Sequence, residues 1–326
     1  MKKILLSVYN YFKEEVKPLY FLSVLALVGV SIYFEYAYDM ERTYVFKHWG
    51  KIPQHFIANL VMYSIPFVGT YLLYILFYKR WDLLKNRKFI GLILFTLAVY
   101  CLRSSWYGYR DWVDTFSDAM QYDSNQKYYN RRTFNQIAQG LMIFLPVTVF
   151  WFFTHRKEQN LYGFKIKGVN LRPYFTMLIF MLPLIAWASF QRDFLAMYPR
   201  YQGIIPNAFE TTMGIIKVLF FELCYGVDFV MTEFFFRGFL ILAFAKFVGR
   251  GCILPMVSFY VFIHFGKPLG ETMSSFIGGL ILGVIAYESK SIIGGIIAHL
   301  GVAWLMETGG TFGRELGLAN KKYFFN

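Results

Sequence analysis

An acidic and a basic residue interrupt a stretch of the chain that is otherwise apolar. Glu233 and Arg237 lie in the run MTEFFFRG at residues 231–238. On a helix, residues with this spacing share a face, so the carboxylate and the guanidinium can neutralise each other. Charges in apolar segments are costly, and they therefore mark candidate functional groups.

Two apolar segments further along the chain each carry one histidine, His264 and His299. Glutamate and histidine together could activate a water molecule, accept its proton and stabilise a developing oxyanion, as hydrolysis requires. Glu233, His264 and His299 could instead bind zinc or another divalent metal, with water at an open position. The sequence has no HExxH pattern, so local spacing does not support the metal interpretation. A hydrogen-bonded structural role for each histidine stays open.

Other acidic residues are weaker candidates for the same site. Glu271 follows the helix-breaking sequence GKPLG at residues 266–270 and could fold back as a metal ligand. It could equally be a first-turn carboxylate that complements the helix dipole. Glu222 would lie ~16 Å from Glu233 along an unbroken helix, too far for direct cooperation. Asp228 and Glu307 are possible ligands at lower odds.

The elements that must position these groups are long apolar segments. The chain is 57% hydrophobic and 16% charged, which leaves too little polar surface for a soluble domain of its size. We therefore predict an all-α, multi-pass transmembrane helical bundle of about eight spans. The candidate segments are Leu19–Tyr38, His55–Tyr78, Phe89–Leu102, Ile137–Phe153, Tyr174–Phe190, Thr212–Val230, Glu233–Val248, Cys252–Phe265, Thr272–Tyr287 and Ser291–Met306.

The net charge of +13 is explained better by membrane topology than by nucleic acid. Lysines and arginines are divided among short loops rather than gathered on one face. Three basic groups fall on the same side if every intervening segment crosses the membrane. This pattern predicts a cytoplasmic N-terminus in the plasma (inner) membrane, with the lipid bilayer as a partner and no nucleic acid. The groups lie at residues 2–17, 79–88 and 156–172.

The composition of the apolar segments changes near residue 211. Before that point the spans are aromatic and nearly free of ionisable groups, which is typical of supporting helices. After it, acids, histidines and glycines enter the apolar segments. We therefore predict N-terminal transmembrane helices at 1–211, a functional core at 212–307 and a C-terminal tail at 308–326.

Three motifs in the core resemble those of a known family. They are TExxxRG from residue 232, YxxxH from residue 260 and HxxxA from residue 299. In order and spacing they are similar to Glu-Glu-x-x-x-Arg, Phe-x-x-x-His and His-x-x-x-Asn, the motifs of the CAAX protease and bacteriocin-processing enzyme (CPBP) family. The resemblance covers about the last third of the chain. It implies a multi-pass intramembrane endopeptidase, of metallo or glutamate type.

The resemblance also implies which residues would act. Glu233 and Arg237 match the second glutamate and the arginine of the family, and His264 and His299 match its two histidines. The substrate would be a membrane-associated protein or peptide, including prenylated ones. The family's first glutamate, which activates water, falls on Thr232, and its asparagine falls on Ala303. The chain is therefore either a variant that uses Glu233 as the base or a relative without activity.

Two alternatives to a protease remain open at this stage. The first is an inactive family member that acts as a membrane binding or immunity factor, which Thr232 and Ala303 favour. The second is a small-solute transporter, since intramembrane charges and glycine-interrupted helices also occur there. The absence of a detectable internal repeat argues mildly against the transporter.

Overall fold

All regular structure in the described part of the protein is helical. The structure is a computed structural model that describes residues 2–166, 168–205 and 208–316, and no strand occurs in these ranges. The prediction of an all-α protein is therefore confirmed. Of the predicted C-terminal tail, residues 317–326 lie outside the described residues.

The helices of the described residues include six that are long and apolar enough to cross a membrane. This confirms a multi-pass membrane protein, for which about eight spans were predicted. One of the six covers 51 residues, so several predicted segments are parts of one helical stretch. A further apolar helix, Arg172–Ala188, is shorter. The six are Pro18–Tyr38, Ile52–Tyr78, Arg87–Ala119, Ser124–Thr154, Thr212–Phe262 and Leu269–Ser289.

The chain forms two compact units, each assembled from three separate segments. The first unit comprises Met1–Trp106, Met142–Val169 and Glu233–Gly295. The second unit comprises Tyr107–Leu141, Asn170–Thr232 and Ile296–Asn326. Of the predicted site residues, Glu233, Arg237 and His264 belong to the first unit, and His299 belongs to the second.

Seven α-helices of the described residues lie wholly within the first unit. Its helices are α1 (Lys2–Glu14), α2 (Pro18–Tyr38), α3 (Ile52–Tyr78), α4 (Arg87–Ser105), α10 (Ile241–Val248), α11 (Ile253–Phe262) and α12 (Leu269–Ser289). Helix α11 packs against α12 and α3, and α3 packs against α2 and α4. Every residue of α11 is buried, so this short helix is the centre of the unit.

Local sequence signals explain where several of these helices begin and end. Proline occupies the first turn of α2 and of α3, where no intrahelical N–H bond is lost. Asn86 caps α4, since its side chain accepts hydrogen bonds from the backbone N–H groups of Lys88 and Phe89, both at 3.1 Å. Asp39 and Lys79 end α2 and α3 in the left-handed conformation.

The second unit has two apolar clusters. Its helices are α5 (Tyr109–Ala119), α7 (Arg172–Ala188), α8 (Arg192–Met197) and most of α9 (Thr212–Glu233) and α13 (Ile293–Glu315), and α6 (Ser124–Thr154) contributes residues to both units. One cluster includes Tyr201, Phe221 and Tyr225. The other joins Phe194 and Tyr198 to the C-terminal half of α13.

A loop from the first unit lies directly on the helical stretch that carries Arg237. A Cβ atom on Gly238 would come within 2.5 Å of the backbone oxygen of Tyr162. The Tyr162 side chain is buried and its hydroxyl lies 2.7 Å from Nδ1 of His155. The next residue, Gly163, accepts a hydrogen bond from the backbone N–H of Ile292 at 3.0 Å. The loop can pack this closely because residue 238 has no side chain.

Gly238→Ala should destabilise the protein, because the added methyl group has no space beside Tyr162. We expect a loss of about 1–3 kcal/mol, the usual cost of overpacking a core. Thermal unfolding of the purified protein in detergent would measure it. Gly91→Ala in α4 is the matched control, since nothing lies within 4 Å of a Cβ atom there. Equal stability of the two variants would contradict the close packing.

Candidate active site

Glu233 and Arg237 lie on one continuous helical stretch, which changes from an α-helix to a π-helix between them. Glu233 is the last residue of α9, and Phe234–Leu240 continues as a π-helix that carries Arg237. All seven residues of the π-helix are buried. Short π-helical insertions are rare and occur often at functional sites, because the wider turn redirects side chains.

Glu233 and Arg237 form a fully buried ion pair. The Oε1 atom of Glu233 lies 3.0 Å from NH1 of Arg237, and the two side chains are 0% and 1% exposed. The predicted pairing is therefore present, although on a π-helix rather than on a regular α-helix. Removing either partner would leave one charge buried without its counter-charge.

An aromatic ring lies between the arginine and the first histidine. The guanidinium carbon of Arg237 is 3.9 Å from the ring centroid of Tyr260, close enough for a cation–π interaction. The Tyr260 ring also contacts His264, whose imidazole centroid lies 4.5 Å from that of Tyr260. Tyr260 thus connects the Glu233–Arg237 pair to His264 through direct contacts.

His264 is held in one tautomer by the backbone. Its Nδ1 atom lies 2.8 Å from the carbonyl oxygen of Tyr260. A carbonyl can only accept, so Nδ1 carries the proton of the neutral ring, and Nε2 carries the lone pair. The backbone oxygen of His264 in turn accepts a hydrogen bond from the Thr272 hydroxyl at 2.6 Å. A buried histidine fixed in this way is suited to act as a base through Nε2.

Glu271 forms an ion pair with Lys267, which lies in the turn after His264. Its Oε1 atom lies 2.7 Å from Nζ of Lys267, and it occupies the first turn of α12. This position is compatible with a first-turn carboxylate that complements the helix dipole, and the role of Glu271 as a metal ligand stays a prediction.

His299 lies on α13 in the second unit. It is half-buried, and its ring contacts Phe229 of α9 edge-to-face, with centroids 4.8 Å apart. The two positions at which the chain departs from the CPBP motifs are also buried, Thr232 at 9% exposure and Ala303 at 4%. One turn beyond Ala303, Glu307 accepts a hydrogen bond from the backbone N–H of Arg200 at 2.7 Å.

Gly295 of α13 lies directly against the carboxylate of Glu233. A Cβ atom on Gly295 would collide with Oε2 of Glu233, and both residues belong to the first unit. The carboxylate therefore lies against bare backbone at the start of α13. The small-residue pattern of α13 was the only signal for this contact, and it does not distinguish a glycine beside an acid from one beside a methyl group.

A second acidic group, outside the spans, approaches the turn that follows His264. Glu41 donates its backbone N–H to Oε2 of Glu35 at 2.9 Å. A Cβ atom on Gly266 would come within 3.1 Å of Oε2 of Glu41, and Gly266 itself has a left-handed φ of +73°. Burial, and then the carboxylates of Glu35 and Asp39, raise the pKa of Glu41 from 4.5 to about 8.

The described residues contain no group of three or more His, Cys, Asp or Glu side chains with the geometry of a metal site. The assignment of Glu233, His264 and His299 as ligands of zinc or another divalent metal, with Glu271 as a possible fourth, stays a prediction.

The cysteines Cys101, Cys224 and Cys252 are buried free thiols.

Comparison with known proteins supports the interpretation of the motifs. Residues 214–305 match the family model of Rce1-like type II CAAX prenyl endopeptidases. The predicted resemblance to CPBP proteases is confirmed over this segment, which contains Glu233, Arg237, His264 and His299. A search of curated proteins found no match. A search of solved structures found none either.

Arg237→Met should destabilise the protein strongly, because the carboxylate of Glu233 would remain buried without a counter-charge. We expect a loss of about 3–5 kcal/mol. The double variant Glu233→Gln/Arg237→Met should recover most of it, since both charges are then absent. Unfolding of the variants in detergent would measure these differences. A double variant no more stable than Arg237→Met would contradict a simple ion pair.

Glu41→Gln should have a pH-dependent effect on stability. The unfolded carboxyl ionises near pH 4.5, but the folded one ionises near pH 8, so folding loses stability as pH rises between these values. The glutamine variant lacks this loss. Its melting temperature should therefore rise relative to the parent protein between pH 5 and about pH 8. Glu210→Gln, at an exposed carboxylate, should show little dependence.

Proposed function

We propose that the chain is an intramembrane endopeptidase that hydrolyses a peptide bond of a membrane-associated protein or peptide, prenylated substrates included. The observation that carries this proposal is the buried series Glu233, Arg237, Tyr260 and His264. It lies within the segment that matches prenyl endopeptidases. Buried charges next to a histidine with a fixed tautomer favour proton transfer over a purely structural role.

In the proposed reaction, His264 and Glu233 share the activation of water. The carboxylate of Glu233 accepts a hydrogen bond from the water, and Nε2 of His264 removes its proton as the oxygen attacks the peptide carbonyl. The C–N bond then breaks, and the proton passes from His264 to the leaving amine. Arg237 pairs with Glu233 and orients its carboxylate, so it is a positioning residue. By its match to the family motif, His299 is the candidate group for stabilising the oxyanion of the tetrahedral intermediate.

Bound zinc would supply a more acidic water at the same site. No step described above depends on it.

The proposed setting is the plasma (inner) membrane, with the N-terminus in the cytoplasm. The supporting observation is the excess of lysine and arginine at residues 2–17, 79–88 and 156–172. Cytoplasmic loops carry such an excess in multi-pass proteins.

The second candidate function is that of an inactive relative which acts as a membrane binding or immunity factor. Thr232 and Ala303 favour it, because they replace the water-activating glutamate and the asparagine of the family motifs. Threonine cannot accept a proton near neutral pH, and alanine has no polar group. Activity would then have to depend on Glu233 and the histidines alone.

Glu233→Gln, His264→Gln and His299→Gln should each lower turnover about 100-fold or more, since each removes a proton-transfer or charge-stabilising group. The assay is cleavage of a library of lipidated peptides by the purified protein in proteoliposomes, with and without a chelator. A chelator-sensitive rate restored by zinc would favour the metal route.

The matched control for these variants is His55→Gln. His55 is a buried histidine of the first unit to which no chemistry is assigned, so its variant should retain turnover. Full activity in all three site variants would exclude the proposed site. A folded parent protein that cleaves no peptide in the library would favour the inactive-relative alternative.

A further inference from the structure

A small cavity in the first unit lies where α2 begins and α3 ends. Its volume is about 60 Å³. Its walls include four tyrosines, one glutamate and one glycine, namely Tyr11, Tyr20, Tyr74, Tyr78, Glu15 and Gly251. None of the tyrosines lies in the segment that matches the endopeptidase family. The cavity is therefore a feature of this chain that the proposed function does not use.

One wall of the cavity carries a polar group without a partner. Tyr20 is 2% exposed, and its hydroxyl has no hydrogen-bond partner among the described residues. Buried hydroxyls are nearly always hydrogen-bonded, so we expect a bound molecule to form a hydrogen bond with this one. The neighbouring Tyr78 hydroxyl, by contrast, donates to the backbone oxygen of Glu15 at 2.5 Å and accepts from the N–H of Lys17 at 2.9 Å.

The tyrosine rings are fixed by their packing. The Tyr20 ring is nearly perpendicular to that of Tyr78, at 88°, with centroids 5.5 Å apart. Tyr74 stacks on Tyr78 at 4.5 Å. A Cβ atom on Gly251 would collide with the Tyr74 ring, so only glycine at this position leaves space for the ring. The walls are preformed, and a ligand would not have to order them.

The charge of the lining favours a cation. Glu15 lines the cavity, and no lysine or arginine does. Arg250, beside the lining, lies 3.9 Å from Oε1 of Glu15, but it is shared with Glu14 and Glu288, so the acidic groups outnumber it. The nearest lysine, Lys17, donates its Nζ to the backbone oxygen of Phe77 at 2.8 Å and lies 4.8 Å from the Tyr78 ring centroid. Aromatic rings and a carboxylate attract cations, and phenol oxygens accept hydrogen bonds from N–H groups. An ammonium group matches this lining, whereas a phosphate group would face the carboxylate.

The unpartnered hydroxyl of Tyr20 selects among ammonium groups. A primary ammonium carries N–H groups that can donate to this oxygen, whereas a quaternary ammonium has none.

The position of the cavity indicates where such a group comes from. Helices α2 and α3 are candidate membrane spans, and the cavity lies at the residues where the first begins and the second ends. This is the depth of lipid headgroups. Lys17, whose ammonium donates to the backbone oxygen of Phe77, is exposed beside the cavity and places a positive charge where a phosphate would lie. We propose that the cavity binds the primary ammonium of a phosphoethanolamine lipid headgroup.

The test measures lipid binding to the full chain, purified in detergent, by native mass spectrometry and thermal shift. Phosphatidylethanolamine should bind and raise the melting temperature, whereas phosphatidylcholine and phosphatidylglycerol of the same acyl chains should bind at least about tenfold more weakly. Equal binding of the three lipids, or preference for phosphatidylglycerol, would overturn the proposal. Soluble phosphoethanolamine binding as tightly as the lipid would keep the ammonium site but overturn its lipid source.

Tyr20→Phe should weaken phosphatidylethanolamine binding about tenfold, the effect of losing one hydrogen bond to a charged group. Tyr71→Phe is the matched control. Tyr71 is buried and its hydroxyl also has no partner among the described residues, but it does not line the cavity. Equal lipid affinity of the two folded variants would show that the cavity holds only water. The outcome does not depend on protease activity, so the two proposals fail separately.

Discussion

The buried ion pair between Glu233 and Arg237 is the constraint on which the first unit depends. Neither charge can be left alone in an apolar interior, so both side chains must keep the geometry that joins them. The structure meets this requirement with a π-helical turn, with the Tyr260 ring against the guanidinium and with bare backbone at Gly295 beside the carboxylate. The pair thereby contacts the Tyr260 ring of α11 and the backbone at the start of α13.

His264 is positioned by a different kind of interaction. Its ring is oriented by the carbonyl oxygen of Tyr260 and its backbone by the hydroxyl of Thr272. Neither of these two partners carries a charge. Because Tyr260 contacts both Arg237 and His264, one aromatic residue links the charge pair to the proton-accepting group. Groups held on packed helices in this way are suited to precise chemistry.

Much of the fold and part of the site could be predicted from the sequence. Apolar segments identify membrane helices because the bilayer requires internal backbone hydrogen bonds. The spacing of Glu233 and Arg237 predicts a pair because residues four apart share a helix face. The contact of Glu41 with the turn after His264 could not be predicted, since these residues are far apart in the chain. The ion pair of Glu271 with Lys267 was likewise not predicted.

The sequence by itself determined that this is an all-helical membrane protein with a buried acid–base pair and with motifs similar to those of prenyl endopeptidases. These properties follow from composition and from spacing within single helices. Only the tertiary structure decided that the pair lies on a π-helix, that His264 carries its proton on Nδ1 and that Gly295 faces the acid. Such features depend on packing between helices, which local sequence does not encode.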